Sequence, residues 1–253
     1  MREKIINLKN YVCDMSKYRI QVLQEHACSR KSCQVYVLMF HCVENNRAKW
    51  DDSEYCITWN SLKKMLVILK EAGYTFCKPD KIWNENNKKR VVITFDDAYS
   101  CIYTEVFGFL KEENIPFLVF QTISFLDQPK YLSTDMIKEM IKYEGFYLGT
   151  HTITHCNLHL SNNWKNEIEQ PIKMLKDKFG VTCNYFAYPY GAYITLDWKN
   201  IIFTSKKYKG AFCTCNTGVF HKAGIYRYLI PRINVNENNY ESVIHRMTCG
   251  GNG

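Results

Sequence analysis

Three short stretches of this 253-residue chain hold residue types that could do chemistry together. Asp96 and Asp97 stand side by side after the apolar, β-branched run Val91-Val92-Ile93, which predicts a buried strand with two acids at its end. On an extended backbone neighbouring side chains point to opposite sides, so the two carboxylates would do different jobs. Two acids at a strand end carry repulsion and desolvation costs that a cation or a proton shuttle would offset. On these residues alone an Asp capping the helix that starts near Ala98-Tyr99-Ser100 stands beside that reading. His151-Thr-Ile-Thr-His155 sets two imidazoles four positions apart after another apolar stretch. Four apart on a helical turn is one face, within reach of one cation. Two histidines and one aspartate make a three-ligand set with an open position, the pattern of catalytic rather than structural zinc. The third stretch, Phe186-Ala-Tyr-Pro-Tyr-Gly191, puts proline and glycine among aromatics, which by itself reads as a plain turn with core aromatics or as a rigid turn whose backbone N–H groups face a pocket.

The elements that must position these groups alternate. Strands are expected at Val35–Phe40, Arg90–Phe95, 116–121, 146–149, 185–187 and 211–215, with extended chain at 226–235. Helices are expected at 58–72, 101–113, 133–142, 163–179, 196–207 and 240–247, where apolar residues recur at helical spacing between caps and glycines. Strands joined by helices of crossover length predict a parallel sheet with helices outside. The count favours a single-domain α/β fold, a distorted (β/α) barrel of about seven parallel strands. In such barrels catalytic groups sit at the C-terminal strand ends, where His41, Asp96, Asp97 and His151 all fall. Residues 1–34 read as a weakly helical N-terminal extension and 35–253 as the barrel domain.

In this order the motifs resemble the polysaccharide deacetylases of the NodB-homology group, carbohydrate esterases that remove N-acetyl groups from sugars. Thr94-Phe-Asp-Asp97 looks like that family's first motif, His151-Thr-Ile-Thr-His155 its second and Phe186-Ala-Tyr-Pro-Tyr-Gly191 its third, with a lesser echo in Leu229-Ile-Pro-Arg-Ile233. The resemblance makes Asp97, His151 and His155 metal ligands, Asp96 the general base and the Tyr190 N–H an oxyanion donor. It implies a divalent metal, first Zn2+, with Ni2+ or Co2+ as substitutes. Two departures stand out. Ala98 replaces the glycine that usually follows the aspartates, and Ala187 replaces an arginine held against the base in many members. Arg232, from another strand, is the expected substitute. Phe40-His-Cys-Val43 resembles the early motif of a subgroup with permuted motif order, which makes His41 the general acid, with His245 the next candidate. That role needs a protonated imidazole, hence a partner that holds its pKa up. Tyr99, Tyr190 and Tyr193 are read either as flat faces for a sugar or as core and rim packing.

The expected function is metal-dependent hydrolysis of N-acetyl groups on an amino-sugar glycan or its precursor. The rivals are a deacylase of another amide or ester on the same site and a catalytically inactive glycan-binding member. The net charge of +8 comes without any nucleic-acid reading motif, so a nucleic-acid partner is not expected. No apolar run reaches the roughly 20 residues a membrane span needs. With no export signal apparent, the expectation is a cytoplasmic protein whose 12 cysteines are reduced thiols, in peripheral contact at most with a lipid-linked glycan.

Overall fold

The structure is a computed structural model, and it describes residues 35–46, 54–83, 89–191, 196–219 and 225–249. The expected N-terminal extension and Tyr193 lie outside the described residues. The strands are β1 (Val35–Phe40), β2 (Cys42–Val43), β3 (Cys56–Ile57), β4 (Thr75–Phe76), β5 (Arg90–Phe95), β6 (Phe117–Gln121), β7 (Phe146–Thr150), β8 (Tyr185–Ala187), β9 (Gly210–Phe212) and β10 (Ile233–Asn234). The helices are α1 (Trp59–Glu71), α2 (Gly108–Glu112), α3 (Thr134–Ile141), α4 (Trp164–Phe179), α5 (Trp198–Ser205) and α6 (Tyr240–Cys249).

The main sheet runs β10-β1-β5-β6-β7-β8-β9, with β4 added beside β5, while β2 and β3 pair separately. All these pairings are parallel. The sheet is a curled α/β half-barrel, covered by the helices. Strands covered on both faces read as continuous apolar runs, and every residue of β1 (VYVLMF) and β6 (FLVFQ) is buried. The stretch around Pro231 touches both edges of the sheet. Ile230 exchanges backbone hydrogen bonds with the β9 side, accepting from Cys213 and donating to Ala211, each 2.9 Å, and the Val235 N–H donates to Met39 O at 2.9 Å.

Helix boundaries follow their caps. The Thr58 hydroxyl accepts the Ser61 N–H at the start of α1, and Leu62, Met65, Leu66 and Leu69 form its buried stripe. Gly73, just past its end, takes φ +84°, a conformation glycine adopts without the Cβ penalty. The Ser133 hydroxyl likewise accepts the Met136 N–H at the start of α3.

Three stretches depart from the sequence pattern. The expected helix over 101–113 opens with a wide π-helical stretch, Ile102–Phe107, before α2. The expected strand over 211–215 ends at Phe212 because the next N–H groups turn away from the ladder. Thr214 N donates to Gly191 O (2.8 Å) and Cys215 N to Arg232 O (3.2 Å). The expected extension at 226–235 begins with a 3-10 turn, Ile225–Tyr228.

Candidate metal centre and its pocket

β1 and β5 are neighbours in full register, Val35 opposite Arg90 through Phe40 opposite Phe95. The Asp96 N–H donates to Phe40 O at 2.9 Å. His41 and Asp96 therefore leave adjacent strands at the same end of the sheet. β7 delivers His151 beside them, and β8 leads into the third motif. These groups line a pocket of about 290 Å3, with Tyr55, Tyr99, Tyr188 and Tyr190 in its walls.

The two aspartates diverge, but not by strand alternation. The strand stops at Phe95, and both Asp97 (φ 64°) and Ala98 (φ 61°) are left-handed. It is this turn, rather than an extended backbone, that sends the second carboxylate toward the histidines. The His-x-x-x-His pair is not helical either. Thr152 (φ 68°) and His155 (φ 57°) are both left-handed, and the Thr152 hydroxyl accepts the His155 N–H at 2.9 Å. The loop folds the two imidazoles to a ring-centre distance of 4.8 Å.

One ligand atom each from Asp97, His151 and His155 lies within 4.8 Å of the others. Asp97 Oδ1 is 3.4 Å from His155 Nε2 and 3.7 Å from His151 Nε2. His151 Nδ1 is 2.9 Å from Ala187 O. A carbonyl only accepts, so Nδ1 carries the hydrogen and Nε2 presents its lone pair, the arrangement of a metal-ligating histidine with its outer partner. Asp97 Oδ1 is buried and has no hydrogen-bond partner. Burial and then the neighbouring Asp96 charge push the Asp97 carboxyl up to about 7. An orphaned buried carboxylate oxygen facing two imidazole nitrogens suits a divalent cation, and two nitrogens with one oxygen suit zinc.

Asp96 has a different environment. Arg232, fully buried, grips it with both arms: Nη1 to Oδ1 at 2.5 Å and Nη2 to Oδ2 at 2.7 Å. The guanidinium also lies 5.3 Å from the Phe120 ring centre. Burial works to raise the Asp96 carboxyl, but Arg232 and then His151 outweigh it and hold it down at about 2. Ala187, where the resemblance expects an arginine, supplies only the carbonyl that holds His151.

His41 is buried, its ring 4.8 Å from that of Tyr55, and its Nδ1 has no hydrogen-bond partner. The expectation of a partner that keeps it protonated is not met. Burial is the largest influence, only partly countered by Asp96, and the imidazole is pushed down to about 4. His245 is exposed on α6 and does not line the pocket. Tyr190 is 59% exposed at φ 60°, its ring 5.0 Å from that of His155. Behind it, a Cβ on Gly191 would meet Thr214 Oγ1 at 2.6 Å and Thr214 N at 2.9 Å, so the turn packs where only glycine fits.

Sequence reasoning missed Tyr55, Thr214, Asn216 and Asn234 in the pocket lining, since nothing local marks them. It also passed over Glu167, an acid buried on α4 with Ile168, Pro171 and Leu175. A charged residue on the apolar stripe of a helix was the available signal.

Among the described residues no helix is long and apolar enough to cross a membrane. A family model described as polysaccharide deacetylase matches residues 84–201. A Staphylococcus aureus poly-beta-1,6-N-acetyl-D-glucosamine N-deacetylase is 28% identical over 220 residues, 81% of this chain and 73% of its own length. The Bacillus subtilis protein YxkH is 22% identical over 170 residues, and the match spans 65% of this chain but only 60% of that relative. Among solved structures, a Bacillus cereus polysaccharide deacetylase superposes with a TM-score of 0.75 at 22% identity, covering 84% of this chain and 68% of that one. IcaB from Ammonifex degensii gives 0.72 at 21% identity, covering 86% and 98%. With the family match over residues 84–201, the motif order and this fold together, the chain is similar in sequence and in structure to the polysaccharide deacetylases.

Proposed function

We propose that this protein is a metal-dependent hydrolase that removes acetyl groups from the amide nitrogen of an amino-sugar glycan. The observation that carries the reading is the convergence of Asp97, His151 and His155 within 4.8 Å, beside a separate carboxylate, Asp96, held ionised by Arg232. A glycan of β-1,6-linked N-acetylglucosamine, the substrate named for the S. aureus relative, is the first to test.

Asp97, His151 and His155 would hold the cation. When bound, a divalent cation polarises the amide carbonyl and acidifies water, two obstacles to cleaving an unactivated amide. The chain's own groups do the rest. Asp96 accepts the proton of the attacking water at a carboxylate oxygen. Held near 2 it is a weak base, so Arg232 keeps it anionic and aimed rather than strongly basic. The Tyr190 N–H donates to the oxyanion that develops on the carbonyl oxygen. His41 enters the cycle neutral, because burial holds its pKa near 4. It therefore acts as an acid only after taking up a proton inside the site, and Asp96 is the group with one to pass on. His41 then protonates the sugar nitrogen, which leaves as the amine.

Acetate release from N-acetylated β-1,6-glucosamine oligomers, measured together with metal content, tests the reading. His155→Ala should lose metal and activity together while keeping its fold. Asp96→Asn should keep metal but lose about 100-fold or more in kcat. Stoichiometric metal in His155→Ala would sink the ligand assignment. For His41, the leaving group decides: His41→Ala should cripple acetate release from the amide and do far less harm to an aryl acetate, whose phenolate needs no proton. Equal losses on both substrates would remove it as the acid.

A further inference from the structure

We propose that Glu167 is a positioning residue for the metal centre, acting on the loop between His151 and His155; the inference rests on the ligand reading above. Glu167 lies in the first turn of α4 and is only 5% exposed. Its Oε2 accepts the N–H of Ile153 at 2.8 Å and the N–H of Thr154 at 3.0 Å, and its Oε1 accepts the Thr154 hydroxyl at 3.0 Å. Ile153 and Thr154 are two of the three residues between the histidines. A single buried carboxylate thus holds the middle of the ligand loop.

The loop needs such a hold. Thr152 and His155 sit in left-handed conformations without being glycine, and such residues persist only where their surroundings over-determine them. The backbone side is pinned by Ser124 N donating to Ile153 O at 2.8 Å and Ile123 N to Thr152 O at 3.2 Å. Glu167 satisfies the opposite side, the N–H groups that the turn would otherwise bury. Among the described residues no basic side chain pairs with Glu167, so these three donors, the Cys156 thiol and the N-terminal end of α4 meet its charge. Removing the carboxylate frees the loop to open, which separates His155 Nε2 from Asp97 and His151.

Two conservative variants separate geometry from charge. Glu167→Gln keeps the reach, and its carbonyl oxygen can accept both N–H groups while the amide faces the Thr154 hydroxyl. Glu167→Asp keeps the charge but falls short by one methylene. The experiment is zinc affinity of metal-stripped protein, by competition with a chromophoric chelator, well below the unfolding temperature and with folding checked by circular dichroism. Glu167→Asp and Glu167→Ala should bind zinc about tenfold or more weakly, while Glu167→Gln stays within about threefold of wild type. A merely structural carboxylate would lower the melting temperature of all three and leave the zinc affinity of the folded protein unmoved. Wild-type affinity in Glu167→Asp, or a tenfold loss in Glu167→Gln, overturns the inference; if Glu167→Ala does not fold, Glu167→Asp decides it by the same threshold. A wild type that binds no zinc overturns the ligand reading and this inference with it.

Discussion

Asp96 and Asp97 are adjacent in the chain and opposite in electrostatic fate. Asp96 is held down near 2 and Asp97 is pushed up to about 7. Asp96 is buried and the Asp97 side chain is only 14% exposed, with its Oδ1 fully buried, so burial alone cannot separate them. The difference lies in what faces each one. Arg232 meets Asp96 with two short hydrogen bonds, whereas Asp97 faces two imidazoles and an unpaired oxygen. A carboxylate with its counter-charge built in is a finished ion pair; one without it is a candidate socket for a cation. The pocket keeps one of each within a single turn of backbone.

The largest break in this contrast should come from Arg232→Met. It leaves the Asp96 carboxylate buried without its partner, and denaturant unfolding should show a loss of about 3–5 kcal/mol. Adding Asp96→Asn to that variant should recover part of the loss. A loss under about 1 kcal/mol would mean Asp96 does not depend on Arg232.

His41 sharpens the Asp96 side through pH. Its pKa in the folded protein, about 4, lies below that of the unfolded chain, near 6.5. As pH falls from 6.5 toward 4 the unfolded chain takes up the proton first, so the native state loses about 1.4 kcal/mol per pH unit from this group. Metal-free wild type should fall relative to His41→Asn by roughly that slope in denaturation at pH 6.5, 5.5 and 4.5. Parallel curves would mean that His41 titrates as it does in water.

Asp97 should behave with the opposite sign. Its folded pKa is raised, so its contribution to stability is present at low pH and is lost as pH rises through about 4 to 7. At pH 8 the metal-free protein should gain about 2 kcal/mol from Asp97→Asn, which removes an anion beside Asp96. Saturating zinc should reverse the order, since wild type alone gains from binding, about 2.7 kcal/mol at a hundredfold excess over Kd. Thermal or chemical melts with and without zinc would show the crossing; an Asp97→Asn variant stabilised by zinc as much as wild type would end the distinction between the two acids.

The smallest effect belongs to the backbone that separates them. Ala98 is left-handed and fully buried. Ala98→Gly relieves about 1 kcal/mol of Cβ strain, but it gives up a buried methyl of about 0.8 kcal/mol and loosens the unfolded chain. The melting midpoint should move by no more than the equivalent of about 0.5 kcal/mol. A large gain would show that the turn beside Asp97 stores more strain than its φ angle suggests.

Much of this protein was legible in its residues. The all-apolar run of β1, the Val91-Val92-Ile93 centre of β5, the capped helices and their alternation specify a parallel α/β sheet, because apolar periodicity and capping are local properties. Thr94-Phe-Asp-Asp97 and His151-Thr-Ile-Thr-His155 marked the pocket because each motif lies within a few residues. What sequence could not decide was the conformation between those residues and the charge each carries. Strand alternation and helical spacing were the simplest local geometries for the two motifs, yet left-handed turns at Asp97, Thr152 and His155 aim the candidate ligands instead. Those turns hold only because distant groups satisfy them, as Glu167 does from α4. Asp96 and Arg232, 136 residues apart, become an ion pair only when the stretch around Pro231 lies across the sheet. A pKa depends on burial and on neighbours brought in from elsewhere in the chain, so the His41 imidazole is pushed down and the Asp97 carboxyl up for reasons that exist only once the chain has folded.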